Sequence, residues 1–364
     1  MASPLFVLIC ICLGLMALAV ALWLFLLAYR WADNGARARR QILADQWLER
    51  LLPVLECASP VTSLPKVAGR EEMEAVLGLL RDLAERFRGQ YREQLETILG
   101  HIGGKEYGIG LLRSHRQPSR LRGCALLAWT GPDEVLDQAL LTALQDPSGN
   151  VRIEAAYALA LRRAPSIQLP EMMQALEERG ALASDRVRDI LRLAAPGRSD
   201  QIATLLARAT TARQRVLLLN GLSAAGAFDQ APLVTYQLKD SSPQVRAAAL
   251  QTLTELGDPF AMTAVSQMVT DPAATVRLEV ARFATSMSPA QDATEMLLAL
   301  AMDDNHDVRR LAVYGVAACD AEAWQQLCVA AVSSPAVTAL VREVAQARSL
   351  SVPLFLTHEL QRMV

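Results

Sequence analysis

The stretch SSPQVRAAALQTLTELGDP, residues 241–259, decides the fold. An acid, Asp240, stands immediately before it; the chain then turns on Pro243 and runs through Val245-Arg246 into an alanine- and leucine-rich segment that stops at Gly257-Asp258-Pro259. Proline suits a first helical turn, Ala and Leu propagate a helix, and Gly followed by Pro ends one. The acid before the turn is expected to cap the helix. Arg246, a charge at the head of so apolar a helix, is the residue that needs explaining.

The same head recurs. It stands as PAATVRLEVARFATSM around Arg277, DNHDVRRLAVYGVAAC around Arg309 and PSGNVRIEAAYALALR around Arg152, and more loosely at Arg342, Arg215, Arg188, Arg120 and, most weakly, Arg92. From Arg92 onward the steps are 28, 32, 36, 27, 31, 31, 32 and 33 residues, the signature of an internal repeat. Three positions after the arginine come Leu95, Gly123, Ala155, Leu191, Leu218, Ala249, Val280, Ala312 and Ala345; seven after come Leu99, Leu127, Leu159, Ala195, Leu222, Leu253, Ala284 and Val316. Offsets of three and seven mark one buried helical face. Eleven after come Gly103, Gly131, Gly226 and Gly257, suited to a left-handed helix stop.

Upstream of each head lies a second helical pattern, such as residues 138–144, 232–238, 262–268 and 294–301, so each unit reads as two short antiparallel helices. One such pair cannot bury its apolar faces alone; a stacked row can. In this pattern of acid, proline, Val-Arg and Ala/Leu helix the chain resembles the HEAT-repeat family, in particular the short HEAT-like repeats also found in phycobilin lyases, over roughly residues 72–350. The resemblance implies an all-α, right-handed α-α superhelix, a HEAT-like solenoid. It also implies that an arginine six residues after the acid reaches the acid or carbonyls of its own or the next turn, in a ladder of paired Asp and Arg. Arg120, Arg152, Arg188, Arg215, Arg246, Arg277, Arg309 and Arg342 are then structural rungs.

At the N-terminus no side chain from Met1 to Tyr29 is charged, and Leu5 to Leu27 would reach about 34 Å as a helix, enough to cross a bilayer core. The run is too long, and lacks the basic start, of a cleaved signal peptide. It is expected to be a single uncleaved transmembrane helix over residues 4–29. Arg30, Arg37, Arg39 and Arg40 follow it against Asp33 alone, which places the rest of the chain in the cytoplasm, anchored to the inner membrane. Residues 30–70 read as a juxtamembrane helix, 41–55, and a linker, 59–70; residues 71–364 read as the solenoid.

Composition narrows the chemistry. A net charge of -2 gives no field that would gather nucleic acid. The cysteines at 10, 12, 57, 124, 319 and 328 form no CxxC pair and read as reduced core thiols. With His101, His115, His306 and His358 as the sole histidines, and one His-Glu pair at 358–359, no metal or cofactor site is expected, and no HExxH, GxSxG or phosphate-binding loop appears. Lys105, Arg113, His115, Arg116, Arg120 and Arg122, broken only by Glu106 and reading partly as loop, form a basic stretch that could meet anionic lipid or an acidic partner. The apolar 352–356 is expected to cap the last unit.

A non-catalytic, membrane-anchored scaffold that binds a protein partner follows from these readings. The alternatives are an accessory subunit of a membrane enzyme complex, such as an envelope polysaccharide synthase, and a lyase-like enzyme. The partner surface is expected opposite the buried offsets, at offset five, where Tyr157, Asn220, Gln251, Arg282 and Tyr314 fall between Ala125, Leu193 and Ala347.

Overall fold

The structure, a computed structural model, describes residues 4–56, 59–86, 92–131, 133–164, 167–177 and 185–351; the side chains at 4–15, 17, 25–37, 84–86 and 92–93 also lie outside the description. Among the described residues the regular elements are all helical. The contacts divide the chain into two units, residues 1–166 and 167–364.

The first unit contains α1 (Pro4–Leu55), α2 (Arg70–Arg86), α3 (Arg92–His101), α4 (Gly104–Leu112), α5 (Gln117–Leu127), α6 (Glu134–Ala143) and α7 (Gly149–Arg162). α1 runs unbroken through the expected span at 4–29 and the expected juxtamembrane helix. Among the described residues no helix is long and apolar enough to cross a membrane. The expected anchor is therefore not supported there, and most of its side chains lie outside the described residues. Those that are described, Met16, Leu18, Val20, Leu22, Trp23 and Leu24, are each more than half exposed.

The far end of α1 is core. Trp47 and Leu51 are fully buried with Val54, Leu64, Val76 and Ile98, and Trp47 Nε1 donates to Glu72 at 2.8 Å. Glu72 also accepts from the backbone N–H of Ala68 at 2.7 Å. The stretch 59–70 is thus not a free linker: Val61, Leu64 and Val67 are drawn into this cluster, and their burial outweighs the turn-forming prolines around them. The basic stretch 105–122, expected to be partly loop, is mostly helix in α4 and α5. Of its two glycines Gly108 serves close packing, since a Cβ there would lie 2.6 Å from the Leu127 side chain, whereas a Cβ on Gly110 would meet nothing within 4 Å.

The second unit contains α8 (Leu169–Glu177), α9 (Arg186–Ala194), α10 (Ser199–Arg208), α11 (Ala212–Ala225), α12 (Ala231–Tyr236), α13 (Pro243–Leu256), α14 (Met262–Ser266), α15 (Ala274–Met287), α16 (Gln291–Leu300), α17 (His306–Val316), α18 (Ala321–Ala331) and α19 (Pro335–Arg348), with short 3-10 turns extending α12 and α14. Helices α9, α11, α13, α15, α17 and α19 each pack on the next as one row; in a second row α8 meets α10, and α14 meets α16, which meets α18. The periodicity explains this stacking. Every described residue at offsets three and seven from the repeat arginines, from Leu95 to Ala345, is buried. Leu218, Leu222, Ala249, Leu253, Val280 and Ala284 fill the space between successive helices of the first row, and burying each Leu fully is worth roughly 1.5–3 kcal/mol.

Helix ends follow the glycines with one exception. Gly103, Gly226 and Gly257 have φ of 79°, 62° and 67°, whereas Gly131 does not take the left-handed form. At Gly131 the Glu96 carboxylate occupies the place of a Cβ. At the equivalent stop of α7 the left-handed residue is Arg163, φ 53°.

Candidate partner-binding surface

The repeat arginines build the surface from behind. Arg246 donates through Nε and Nη2 to both oxygens of Asp271, at 2.8 and 2.9 Å, and through Nη1 to the carbonyls of Asp240 and Ser241, at 2.9 and 3.2 Å. It grips its own turn by the backbone and the next turn by the acid. Arg277 does the same with Asp303 (2.5 and 2.8 Å) and the carbonyls of Asp271 and Pro272. Arg215 reaches Asp240 at 2.6 Å and the carbonyl of Ala209; in the first unit Arg120 reaches Asp146 at 2.6 and 3.0 Å and the carbonyls of Ser114 and His115.

Each acid is held in turn by a backbone N–H two residues on: Asp146 by Ser148, Asp240 by Ser242, Asp271 by Ala273 and Asp303 by Asn305. This corrects the expectation that the acid caps the helix. It precedes the N-cap by two residues and fixes the turn; the first orphan N–H groups lie beyond its reach. The charges respond to the pairing. Hydrogen bonds from Arg277, against the opposing effect of burial, hold Asp303 below the usual carboxylate range. For Asp146 burial pulls upward, yet the bonds from Arg120 and the Ser148 N–H outweigh it and leave its pKa lowered. Arg277 and Arg120 are raised by the same hydrogen bonds.

Four of the eight sequence-derived rungs therefore span two turns. Arg152 and Arg309 hold the carbonyls of their own turns, Asp146 at 2.8 Å and Asp303 at 2.7 Å. Among the described residues Arg309 Nε is buried without a partner, because Val332 stands two residues before the α19 N-cap, where the turns before α7, α13, α15 and α17 carry an acid. Arg188 and Arg342 are exposed.

Sequence reasoning passed over one arginine. Arg162, at the end of α7, is fully buried; it donates to Asp137 at 2.9 and 2.8 Å, to the carbonyls of Leu127 and Thr130 and to the Thr130 hydroxyl. Its signal was Asp137 on an otherwise apolar face of α6, one helix earlier. Of the basic stretch, Arg120 is a rung, Lys105 pairs with Asp133 at 3.1 Å and Arg122 lies 3.9 Å from Glu74, so Arg113 and Arg116 remain as exposed cations, with the His115 side chain exposed beside them. The Cys124 and Cys328 thiols are buried and free, their pKa pushed by burial to about 12 and about 11. Among the described residues no group of three His, Cys, Asp or Glu side chains could hold a metal ion.

In front of the ladder of the second unit lies the offset-five column. Asn220 and Gln251, with Arg188, Gln244 and Glu279, line a polar cleft of about 270 Å³ across α9, α11, α13 and α15, floored by Val216, Ala247 and Ala248. Arg282 pairs with Glu279 at 2.7 Å, and burial raises the Glu279 pKa against that pairing. Tyr314 donates to Glu343 at 3.2 Å and lies under the guanidiniums of Arg310 and Arg348, at 5.8 and 5.9 Å from its ring centre. Tyr157 is half-buried on α7 of the first unit.

The arrangement supplies amide donors and acceptors, two charges of opposite sign and an apolar floor, which suits recognition of a polypeptide and offers no nucleophile beside a base. The expected cap at 352–356, the pair His358-Glu359 and the side chain of Arg92 lie outside the described residues.

Comparison with known proteins bears on the fold. Similar solved structures include an engineered protein (18% identity, 85% of this chain and 97% of that chain, TM-score 0.37). The complex of CpcE and CpcF of phycocyanin lyase from Nostoc sp. is 17% identical, with 66% and 94% of the two chains covered and a TM-score of 0.31. A mutant of Kap121p is 12% identical over 86% of this chain and 48% of that chain, TM-score 0.34. No curated protein matches the chain. Residues 231–317, which include the rungs Arg246, Arg277 and Arg309, match the family model for HEAT repeats.

Proposed function

We propose that the protein is a scaffold that holds a protein partner on the exposed face of its α9–α19 helix row and performs no chemistry of its own. The observation that carries this reading is the division of labour within one helix. Offsets three and seven are buried from Leu191 to Ala345, and Arg215, Arg246 and Arg277 lock turn to turn, while offset five keeps Asn220, Gln251, Arg282 and Tyr314 at or near the surface. A face repeated at fixed spacing on a stiff backing limits the entropy lost when a partner docks.

The apolar run from Leu5 to Leu27 anchors this scaffold in the inner membrane as a single pass, with the repeat units in the cytoplasm on the side of Arg30, Arg37, Arg39 and Arg40. The exposure of Met16 to Leu24 along α1 supports it, since apolar side chains on an unpartnered helix need lipid or another chain to cover them. The partner is then itself membrane-associated, and an accessory role in a membrane enzyme complex is a special case. The exposure of Arg113 and Arg116 at the α4–α5 turn supports a contact with anionic headgroups.

The test is affinity purification from solubilised membranes with Asn220→Ala/Gln251→Ala/Arg282→Ala against the unaltered chain. The variant is expected to lose its main partner while its thermal melt stays within about 2 °C, as surface changes usually do. Retention of the partner would remove this face from the reading.

A further inference from the structure

A second concavity lies wholly within the first unit. Between α1, α2, α4 and α5, with α3 behind, is a cavity of about 500 Å³, walled by Leu77, Leu95, Leu99, Leu111, Leu126 and Trp129. Two small residues are part of its lining. Gly78 on α2 would meet nothing within 4 Å if it bore a Cβ, and Ala125 lies on the opposite helix α5. Protein interiors hold few voids much larger than a water, and 500 Å³ falls within the roughly 300–1,000 Å³ of small-molecule sites.

The mouth is cationic. Among the described residues Arg40, Arg81 and Arg122 line it against one carboxylate, Glu74. That carboxylate is already shared by Arg40 at 3.1 Å, Arg70 at 3.1 Å and Arg122 at 3.9 Å, with the Tyr107 hydroxyl 3.5 Å away. Arg40 and Arg122 thus share the Glu74 charge with Arg70, and each guanidinium has five donors, more than one carboxylate can accept. The Arg40 and Arg122 side chains are 48% and 65% exposed, so an incoming anion reaches them without breaking into the core.

We propose that this cavity binds a single-chain amphipathic anion, its acyl chain among the leucines and its carboxylate or phosphate on Arg40 and Arg122. Branched aliphatic walls with one indole and one phenol at the rim suit a flexible chain better than a flat ring system. Guanidinium pairs carboxylate or phosphate in a planar fork, which sets the head outward and the chain inward. The site uses none of the residues of the proposed partner face and requires no membrane anchor.

The experiment uses the full chain held in amphipol and titrated with cis-parinarate, a fluorescent polyene carboxylate, then competed with palmitate and with hexadecanol. Saturable binding of one probe per chain is expected, with hexadecanol displacing it about tenfold or more weakly than palmitate, as loss of a charged hydrogen bond requires. Arg40→Gln/Arg122→Gln should erase that difference. Gly78→Leu, which fills the cavity from α2, and Ala125→Leu, which fills it from α5, should each abolish binding, with melts checked against the unaltered chain. Displacement by monomeric lysophosphatidylglycerol would identify a single-chain lipid phosphate as the source of the acyl anion; displacement by palmitate alone would identify the free acid. Absence of probe binding, equal potency of alcohol and acid, or full binding by both cavity-filling variants would overturn the proposal.

Discussion

Arg246→Ala tests whether the repeat arginines carry the stacking. Removal strips Asp271 of both its guanidinium bonds and leaves it one described donor, the Ala273 N–H. The Asp271 side chain is 5% exposed and that of Arg246 12%, so water replaces the lost partner poorly. The carbonyls of Asp240 and Ser241 lose a donor as well. Hydrogen bonds to charged groups contribute about 1.5–3 kcal/mol and breaking a buried pair costs about 3–5 kcal/mol; for this partly buried rung the expected loss is about 2–4 kcal/mol. In a unit of this size each kcal/mol lowers the melting temperature by roughly 2–4 °C. The control is Arg342→Ala, an exposed arginine at the same repeat position with no such rung, expected to cost under about 0.5 kcal/mol. Circular dichroism melts and urea titrations of both, with Asp271→Ala and the double variant, close the cycle. A coupling of about 1–3 kcal/mol between Arg246 and Asp271 is expected. Equal shifts for Arg246→Ala and Arg342→Ala, or strictly additive effects in the cycle, would refute the ladder.

The remaining predictions follow the same geometry. Val332→Asp supplies the acid that the last turn lacks and should stabilise the protein by about 0.5–1.5 kcal/mol in urea titration, a gain that vanishes in Arg309→Ala. Leu253→Ala, at a fully buried offset-seven position, should cost about 2–5 kcal/mol in the same assay. Because the Asp303 pKa is lowered in the fold, its contribution is complete above the unfolded value near 3.9 and is lost as pH falls through the lower folded value. Stability measured from about pH 5 to about pH 2 should therefore decline less steeply in Arg277→Ala, where Asp303 loses the main cause of its lowering. Cys124 and Cys328, buried with thiol pKa near 12 and 11, should resist alkylation at about pH 8 until the chain unfolds, which mass spectrometry of labelled protein along a urea series will show.

The repeat was legible because its cause is periodic. A helix that must bury one face in every unit writes Ala, Leu or Val at offsets three and seven each time, and a turn-to-turn rung writes Asp and Arg about 25 residues apart. Features that occur once were not legible. Arg162 and Asp137 form a buried pair that no other unit repeats, so no column marked it. Gly131 looked like the other helix-stop glycines, yet it serves the approach of Glu96, a contact set by tertiary packing. The stretch 59–70 carried turn residues and a few apolar ones, and only the presence of Trp47 and Ile98 nearby in space decides that Leu64 is buried. Offset five was legible as the face opposite the core, whereas the cleft shared by Asn220, Gln251 and Glu279 depends on how adjacent helices splay.

The most direct measurement of the scaffold reading is site-specific photo-crosslinking in the full chain, with a photoreactive phenylalanine placed at Gln251 or Arg282 on the proposed face, or at Thr263 on the first-helix row of the same unit. All three positions are exposed, so reactivity itself is matched. The account predicts one discrete adduct, the same from Gln251 and Arg282, absent at Thr263 and lost on adding Asn220→Ala to the Gln251 probe. Adducts at Thr263 alone, or equal capture from all three positions, would contradict it.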